Sequence, residues 1–248
     1  MSPGEPRRRR VCLLTGAGGT LGTAFCRAYA GAYDIVAVGR RRAPDVPSQF
    51  ESFVDPLDPG ADLPENRHRV FVVRADLEAP GQMERIVDVA LAKFGRVDLL
   101  VNAVAYARWH TGGLVDGPGS LADLDRHFAV NVGLPLALAA TLAEKFWLPR
   151  DRSNRAANRN VVHVSSLAGS RVFPGRGQAV YAAAKAALDH LARHQAAEFA
   201  AFGVRVNAVA PDSFPGIVPT DRVAAAIAAL DQGTVTGEVV PVTADDAG

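Results

Sequence analysis

The chain has 248 residues, of which 48% are hydrophobic, and its formal net charge at pH 7 is +1. That is enough apolar material for one large core, since α/β folds stay single up to roughly 250 residues. A nearly neutral chain has no general electrostatic attraction to nucleic acid or to an anionic membrane. Its two cysteines, Cys12 and Cys26, offer neither metal-ligand spacing nor a disulfide framework, which is typical of the reducing cytoplasm where we expect the protein.

Four consecutive arginines occupy positions 7–10, directly before the first apolar run. The cluster superficially resembles a twin-arginine export signal, which needs a longer apolar segment behind it. Here the run at residues 11–14 is broken after four residues by Thr15 and Gly16. We therefore interpret residues 1–10 as a basic solvated tail, and we predict that no stretch approaches the length of a transmembrane helix.

Apolar runs of strand type alternate with segments of helical period from residue 11 onward. We predict strands at residues 11–14, 35–38, 70–73, 97–101, 161–164, 204–209 and 239–242. We predict helices at residues 21–30, 83–94, 121–147, 179–202 and 222–230, with Gly95 and Gly203 as two of the C-terminal stops. This alternation is typical of an α/β fold whose parallel strands have helices on both faces.

Two stretches lack this rhythm. Residues 40–66 contain five prolines and no convincing period, so we predict an irregular surface insertion with a short helix near Phe50. Residues 150–160 are polar and basic, which indicates an exposed loop. Neither stretch resembles a domain linker, so we expect residues 11–248 to form a single domain.

A glycine-rich segment follows the first strand and opens the first helix. Glycines in this context let the backbone turn tightly and approach a pyrophosphate, which the helix N-terminus then stabilises. The strand–loop–helix context favours nucleotide binding over an ordinary turn. The candidate cofactor contacts in this loop are Gly16, Gly18, Gly19, Thr20, Leu21 and Gly22.

The end of the second strand indicates which dinucleotide binds. An NAD site usually has an acidic residue there, which bonds the ribose hydroxyls. This sequence has Gly39 followed by Arg40, Arg41 and Arg42. A guanidinium pairs well with a phosphate, so these arginines favour the 2′-phosphate of NADP(H). The alternative is a solvated basic turn.

Tyr181 and Lys185 are four residues apart on a predicted helix and therefore share one face. A free tyrosine has a pKa of about 10, too high for an efficient general base near neutrality, and a nearby positive charge lowers it. The bland alternative is an exposed surface pair.

Polar residues elsewhere in the sequence favour a catalytic role for this pair. Ser165 and Ser166 follow the fifth strand, at the carboxyl edge where open parallel sheets bind ligands. Asn131 lies inside an apolar helical stretch, which indicates either a satisfied core amide or a functional one. Residues at the ends of the third and fourth strands would share that edge: Asp76, Leu77, Asn102 and Ala103.

Taken in order, the motifs T-G-x-x-x-x-x-G, D-L, V-N-A, V-N-V, V-S-S, Y-x-x-x-K and R-V-N-A-V-A-P resemble those of the short-chain dehydrogenase/reductase family. The resemblance runs from residue 11 to about residue 211, with a fainter echo at residues 236–240. It implies a Rossmann-type, doubly wound parallel sheet of about seven strands in a three-layer α/β/α arrangement. It also implies hydride transfer between NADP(H) and a small-molecule or carrier-tethered carbonyl or alcohol.

The resemblance implies roles residue by residue. Tyr181 would be the general acid/base, and Lys185 would lower its pKa and hold the nicotinamide ribose. Ser166 would hold the substrate oxygen, with Ser165 as its alternative, and Asn131 would anchor a water that links Lys185 to solvent. Further cofactor contacts would come from Asp76, Leu77, Asn102, Ala103, Pro211 and Phe214. Pairing through the helices at residues 121–147 and 179–202 would give homodimers or homotetramers.

The sequence departs from the family pattern at four places. Thr20 replaces the middle glycine of the phosphate loop, and residues 102–105 read N-A-V-A instead of N-N-A-G. The stretch from Ser166 to Tyr181 is longer than usual, and Gly175-Arg176-Gly177 predicts a bulge there. Only 24 residues separate Asp212 from Thr236, so the usual substrate-covering helices are curtailed. That predicts an open site for a bulky or carrier-tethered substrate, a site completed by a partner subunit, or weak activity.

Two other functions remain open on this fold: a catalytically weak NADP-binding regulator or assembly subunit, and cofactor-dependent dehydration or epimerisation. Trp109 and His110 follow the fourth strand and could border a substrate pocket or simply pack. His190 and His194 have the spacing of metal ligands, but no third ligand presents itself, so we predict no metal site.

Overall fold

The computed structural model describes residues 9–115 and 118–244. Within these ranges a seven-stranded, all-parallel sheet has the order β3-β2-β1-β4-β5-β6-β7, which confirms the predicted Rossmann-type α/β fold. The strands are β1 Arg10–Thr15, β2 Tyr33–Gly39, β3 Phe71–Arg74, β4 Leu99–Asn102, β5 Asn160–Val164, β6 Arg205–Pro211 and β7 Val239–Val242.

Helices flank the sheet on both faces. They are α1 Thr20–Tyr29, α2 Gln82–Phe94, α3 Pro118–Ala122, α4 Leu124–Phe128, α5 Leu134–Leu142, α6 Asp151–Ala156, α7 Ala179–Phe199 and α8 Thr220–Gln232. The predicted helical stop at Gly95 is confirmed, because this residue ends α2 with a left-handed φ of 70° and donates to the carbonyl oxygen of Leu91. The predicted helix at residues 121–147 is broken between α3 and α4 at Asp123 and between α4 and α5 by a π-helical turn, Ala129–Gly133. A second π-helical turn, Ala143–Trp147, follows α5.

The alternation of side chains along the strands builds two cores. Leu13 and Val36 pack on one face of the sheet with apolar residues of α2, α5 and α7. Their neighbours Cys12 and Ile35 point to the other face and pack with apolar residues of α1 and α8. Both faces are therefore buried, which is why these strands are almost continuously hydrophobic.

Residues 150–160 are not the exposed loop that their polarity predicts. They include helix α6, and the buried Asn154 amide donates to the carbonyl oxygens of Trp147 at 2.8 Å and Phe202 at 2.7 Å. Arg159 is also buried and pairs with Asp98 at 3.5 Å. The polar residues here bond one another and the backbone inside the fold, and two of their partners, Phe202 and Asp98, are remote in sequence.

The insertion at residues 40–66 is irregular, as predicted, but the short helix expected near Phe50 is absent there. A 3₁₀ turn forms instead at Pro64–Arg67. Gln49 binds the edge of the sheet, because its side chain donates to the carbonyl oxygen of Val72 at 2.8 Å and accepts from the Val72 amide at 2.7 Å. This side-chain pairing holds a helix-free segment against the sheet edge.

Arg9 and Arg10 are not part of a solvated tail. β1 begins at Arg10, whose guanidinium binds both carboxylate oxygens of the buried Asp231 at 2.8 Å. Arg9 pairs with Asp34 at 2.5 Å. The predicted tail is therefore wrong for these two arginines, and residues 1–8 lie outside the described ranges.

One helical stretch, Leu124–Ala156, is long and apolar enough to cross a membrane by length and composition. The prediction that no stretch approaches that length is therefore corrected. Half of its most apolar window is buried inside the protein, where Leu138 and Leu142 join the core. Core helices of soluble proteins have the same character, so this helix alone is a weak indication of a membrane span.

Candidate active site

The carboxyl ends of the strands carry two cavities, of about 450 and 470 Å³. β1 lies between β2 and β4, so the chain changes direction across the sheet at this point. Ligands of open α/β sheets bind at such a switch point, outside the carboxyl ends of the strands. We call the first the cofactor cavity, which is lined by Gly16, Arg41 and Asp76 among others, and the second the catalytic cavity, which is lined by Ser166 and Tyr181 among others.

Most of the predicted cofactor contacts lie at these two cavities. The cofactor cavity is lined by Gly16, Gly18, Gly19, Arg40, Arg41, Asp76, Leu77 and Ala103. The catalytic cavity is lined by Pro211, Phe214 and Tyr181. Helix α1 starts at this edge with Gly19 as its N-cap and no side chain capping it, so its first N–H groups are open to an anion. This donor set, with its arginines and open helix terminus, fits a nicotinamide dinucleotide.

Besides Lys185, which is described below, four predicted cofactor contacts have other positions. Leu21 is a core residue, and a Cβ on Gly22 would lie 2.5 Å from the backbone of Ala17, so both serve the packing of α1. Thr20 is exposed at the first position of α1. Asn102 is buried and donates to the carbonyl oxygen of Pro135 at 3.3 Å. Their spacing in sequence matches the family, but none of these four lines either cavity.

Gly18 has a packing role that the sequence does not indicate. A Cβ at this position would lie 2.2 Å from the carbonyl oxygen of Arg42, and a Cβ on Gly39 would meet the same atom at 2.2 Å. Both glycines therefore let the backbone at Arg42 fold over the phosphate loop. This brings the three arginines after β2 to the rim of the cofactor cavity.

The three arginines differ in their partners. Arg40 Nη1 lies 3.2 Å from Glu78 Oε1 and 3.7 Å from Asp76 Oδ2, so its charge is shared between two carboxylates. Within residues 9–115 and 118–244, neither Arg41 nor Arg42 forms an ion pair with a carboxylate. Arg41 and Arg42 are therefore the cations with most capacity for a further anion.

Tyr181 and Lys185 lie on one face of α7, as predicted. Lys185 is buried, with 1% of its surface exposed, and its Nζ donates to the carbonyl oxygen of Val164 at 2.8 Å. The same Nζ lies 5.7 Å from the centre of the Tyr181 ring. Ser166 follows β5, and its Oγ accepts a hydrogen bond from the amide of Ala168 at 3.2 Å. Serine, tyrosine and lysine are thus brought together.

Burial sets the protonation of this pair. It raises the pKa of Tyr181, and a hydrogen bond with Ser166 opposes part of that effect. Burial also lowers the pKa of Lys185 to about 8, against the attraction of Asp189. Desolvation therefore sets the direction of the Tyr181 pKa shift, and the role of Lys185 in lowering that pKa stays a prediction. Tyr181 is a phenol at neutral pH.

Asn131 is a satisfied core amide, one of the two alternatives that the sequence leaves open. It lies in the π-helical turn Ala129–Gly133 and is fully buried. Its Nδ2 donates to the carbonyl oxygen of Tyr106 at 2.8 Å, and its Oδ1 accepts from the Tyr106 amide at 3.0 Å. The amide therefore fixes the loop after β4, and both of its polar ends are engaged with backbone.

The loop after β4 places Trp109 against Tyr181. The Asp123 carboxylate anchors this loop, because Oδ1 accepts from the Tyr106 hydroxyl at 3.0 Å and Oδ2 lies 3.1 Å from Arg108 Nη1. The Trp109 ring then stands edge-on to the Tyr181 ring with centroids 5.2 Å apart. Asp123 was missed by sequence reasoning, since no local pattern indicates a partner in a loop 13 or more residues away.

The predicted glycine bulge is present and joins two walls of the catalytic cavity. Gly175 and Gly177 have φ values of 74° and 61°. The carbonyl oxygen of Gly177 accepts from the His110 amide at 2.9 Å, and a Cβ on Gly177 would lie 1.8 Å from the His110 carbonyl oxygen. Only glycine fits this junction.

We expect Gly177→Ala to separate the two walls and Gly175→Ala to leave them together. Both positions have a left-handed backbone, but a Cβ on Gly175 meets nothing within 4 Å. Of the two tryptophans, Trp109 is half exposed and Trp147 is fully buried. Acrylamide quenching of tryptophan fluorescence should therefore increase in Gly177→Ala and stay close to the parent value in Gly175→Ala. Equal quenching in the two variants would show that the junction does not position Trp109.

The segment after β6 is a short turn. Residues 213–218 close on themselves through bonds from the Ile217 and Val218 amides to the Ser213 carbonyl oxygen, at 2.7 and 3.0 Å, and α8 begins at Thr220. The segment that follows β6 at this wall of the catalytic cavity is therefore short, as the sequence predicts. Phe214 and Ile217 form this wall of the catalytic cavity.

The residues described form no cluster of three potential metal ligands. His190 and His194 are exposed, with their Nε2 atoms 3.2 Å apart. A third ligand beside them is likewise absent from residues 9–115 and 118–244.

Comparisons with known proteins bear on the same region. A family model described as enoyl-(acyl carrier protein) reductase matches residues 59–242, which include Ser166, Tyr181 and Lys185. An uncharacterized oxidoreductase from Mycobacterium tuberculosis is 30% identical over 204 residues, covering 82% of this chain and 69% of the relative.

Two solved structures extend the similarity to almost the whole chain. A short chain dehydrogenase from Mycobacterium smegmatis has 28% identity and a TM-score of 0.71, covering 97% of this chain and 94% of the other. An oxidoreductase of the short chain dehydrogenase/reductase family from Brucella ovis, in complex with a partially ordered NAD, has 27% identity and a TM-score of 0.68. That match covers 95% of this chain and 100% of the other.

Proposed function

Because this chain belongs to the short-chain dehydrogenase/reductase family and is an oxidoreductase, we propose that it reduces ketones or aldehydes with NADPH, with Tyr181 as the proton donor. One observation carries the proposal: the half-buried Tyr181 phenol stands beside Ser166 at the catalytic cavity, with the Lys185 ammonium behind it. Burial raises the tyrosine pKa, so the hydroxyl keeps its proton at neutral pH. A protonated group can donate to a developing alkoxide, which favours reduction as the direction.

The two hydroxyls would act on one substrate oxygen. The Ser166 Oγ accepts from a backbone amide, so its own proton is free to point at the substrate oxygen or at Tyr181. Tyr181 then gives its proton to that oxygen, and Lys185 stabilises the phenolate that remains. Bound NADPH supplies the hydride to the carbonyl carbon.

Substrate choice would be set by the walls of the catalytic cavity. Aromatic and aliphatic side chains predominate, including Trp109, Phe173 and Phe214, with Arg176 and Asp212 as the charged exceptions. A cavity of about 470 Å³ under a short covering turn accepts a small apolar carbonyl compound or the reactive end of a carrier-tethered one.

The test is the loss of NADPH absorbance with a panel of apolar ketones, aldehydes and thioester-linked β-ketoacyl compounds. We expect turnover with at least one class. Tight NADPH binding with no carbonyl consumed would contradict the proposal and favour a cofactor-binding regulator.

We expect NADPH to bind about tenfold or more tightly than NADH, since a charge-assisted bond to the 2′-phosphate contributes about 1.5 to 3 kcal/mol. Arg41→Ala should remove most of this preference by weakening NADPH binding alone. Arg40→Ala should reduce the preference for NADPH over NADH less, because Glu78 and Asp76 already pair with that guanidinium. Fluorescence titration of both cofactors measures the ratio.

Arg67→Ala is the matched control for these variants. Arg67 is an exposed arginine that pairs with Asp62 of the insertion at 3.0 Å, and it does not line the cofactor cavity. Its loss changes the net charge equally but should leave both affinities unchanged. Equal affinities for NADPH and NADH in the parent protein would overturn the proposed cofactor preference.

The proposal includes a cytoplasmic homo-oligomer. A small apolar cluster, Val132, Ala184 and Leu188, brings together the π-helical turn at Ala129–Gly133 and α7, and Leu136 of α5 packs against it. These are the helices through which relatives are expected to pair. Analytical ultracentrifugation of the purified protein tests the oligomeric state. The two cysteines are free and buried, which suits a reducing compartment.

A further inference from the structure

We propose that Asp189 is a positioning residue of the active site, which holds Lys185 as an ammonium ion and braces the turn that carries Ser166. This inference rests on the proposed function, in which Lys185 stabilises the Tyr181 phenolate. Asp189 lies one helical turn after Lys185 on α7, at the i+4 spacing that places two side chains on one helix face.

The Asp189 carboxylate is packed against the 3₁₀ turn Leu167–Gly169, directly after Ser166. It is buried, and a Cβ on Gly169 would lie 2.7 Å from its Oδ2. Within residues 9–115 and 118–244, its Oδ1 has no hydrogen-bond partner. An unpaired buried carboxylate is costly unless a positive charge compensates it. A nearby positive charge would therefore stabilise the Asp189 carboxylate, and the carboxylate would stabilise that positive charge in turn.

The groups facing Asp189 identify that cation. The Ser165 hydroxyl, on the segment after β5, donates to the carbonyl oxygen of Lys185 at 3.4 Å. Burial raises the pKa of Asp189, and Ser165, Arg193 on the next turn of α7 and Lys185 all oppose that effect. Lys185 is the buried cation among these neighbours, since Arg193 is largely exposed. The 3₁₀ turn itself brings no titratable side chain to the carboxylate.

The groups facing Lys185 include one acid. Tyr181 lies on its own helix, and its ring is 5.7 Å from Nζ. His163, on β5, is uncharged at neutral pH, and the positive charge of Lys185 helps to lower the His163 pKa. His127, on α4, faces the Tyr181 ring at 6.4 Å. Burial favours the neutral amine of Lys185, and Asp189 is the group that opposes it.

This placement has a consequence for catalysis. Burial lowers the pKa of Lys185 to about 8, so the charge of Lys185 near neutral pH is sensitive to the groups that support the ammonium form. Without the Asp189 charge, the amine would lose its proton at lower pH, and the Tyr181 phenolate would lose its stabilising cation. The alkaline limb of the pH profile for carbonyl reduction would then move to lower pH.

The sequence allows a direct measurement, because it contains three lysines, Lys93, Lys145 and Lys185. Protein labelled with ¹³C at lysine Cε should give three resonances, and their pH titrations report each amine separately. We expect Asp189→Asn to lower the Lys185 pKa by about one unit, the scale of an opposite charge a few ångströms away. The Lys93 and Lys145 titrations should not move.

Asp88→Asn is the matched control. Asp88 Oδ1 lies 2.6 Å from Lys145 Nζ on the surface, so its loss touches a different lysine. It should leave the Lys185 resonance unchanged. Asp189→Ala is a second variant that cannot crowd Gly169, and we expect it to shift Lys185 in the same direction.

The outcomes separate this inference from the proposed function. An unchanged Lys185 titration in both Asp189 variants would overturn the role of Asp189, whatever the activity of the protein. A lowered Lys185 pKa in a protein that reduces no carbonyl would support the electrostatic role of Asp189 and contradict the proposed function. A lowered pKa accompanied by a shifted alkaline limb of kcat would support both.

Discussion

Tyr181→Phe is expected to lower kcat for carbonyl reduction by about 100-fold or more, the scale of a lost general acid. The change removes one hydroxyl and keeps the ring, which packs edge-on against Trp109 at 5.2 Å and His127 at 6.4 Å. The fold and the cofactor cavity should therefore be retained. The measurement is kcat and KM with the best carbonyl substrate, together with the Kd of NADPH.

Tyr29→Phe is the matched control for this prediction. Tyr29 lies on α1, where its ring packs on Phe25 with centroids 5.0 Å apart, and it lines neither cavity. Its loss should leave kcat unchanged. Full activity in Tyr181→Phe would remove the tyrosine from the mechanism, whereas a loss of NADPH binding would indicate that the hydroxyl acts on the cofactor.

Side-chain periodicity in the sequence predicts the sheet because each strand repeats the same physical pattern. The alternation of Leu13 with Cys12 and Leu14 lets one strand enter both cores, and Gly95 ends a helix by a conformation that few other residues adopt. The position of Ser166 also follows, since residues directly after a parallel strand must emerge at its carboxyl edge.

Other parts of the site depend on partners that are far away in sequence. Asn131 could be functional or structural by its sequence alone, and its side-chain bonds to the Tyr106 backbone are a structural contact that the sequence does not indicate. Asp123 is an ordinary acidic residue before α4 until tertiary packing places it beside Arg108. Asp189 shares a helix face with Lys185 by its spacing, but only the fold brings it against the turn at Gly169. The direction of the Tyr181 pKa shift could not be predicted either, because burial depends on the whole fold.

A buried network around His163 leads to the second large expected effect, a loss of stability in acid. His163 is fully buried on β5, with Nδ1 3.2 Å from Asn102 Nδ2 and Nε2 2.9 Å from Gln195 Oε1. The amide of Asn102 is a donor, so Nδ1 must accept and the ring must be neutral. Burial lowers the pKa of His163 to about 4, and the Lys185 charge adds to that effect.

The direction in which stability changes with pH follows from proton linkage. The unfolded chain binds a proton at His163 below a pH of about 6.5, and the folded protein does so only near its own pKa of about 4. The stability that a neutral His163 gives is therefore present above pH 6.5 and is lost as the pH falls toward 4. At about 1.4 kcal/mol per unit, the loss amounts to about 3 kcal/mol in the free energy of unfolding.

The prediction is best tested as a difference in stability between the parent and a His163 variant, because the protonation of buried acids stabilises the folded protein as the pH falls. Burial raises the pKa values of Asp189 and Asp231, so their protonation favours the folded protein as the pH falls. His163→Asn keeps an acceptor and a donor in the network but cannot titrate, so it shares these opposing terms. Urea unfolding from pH 7.5 to 4.5 should give a slope of stability against pH that is steeper in the parent by up to about 1.4 kcal/mol per unit. Equal slopes in the parent and in His163→Asn would mean that His163 binds its proton equally in the folded and unfolded states. The assignment of a neutral, buried His163 would then be wrong.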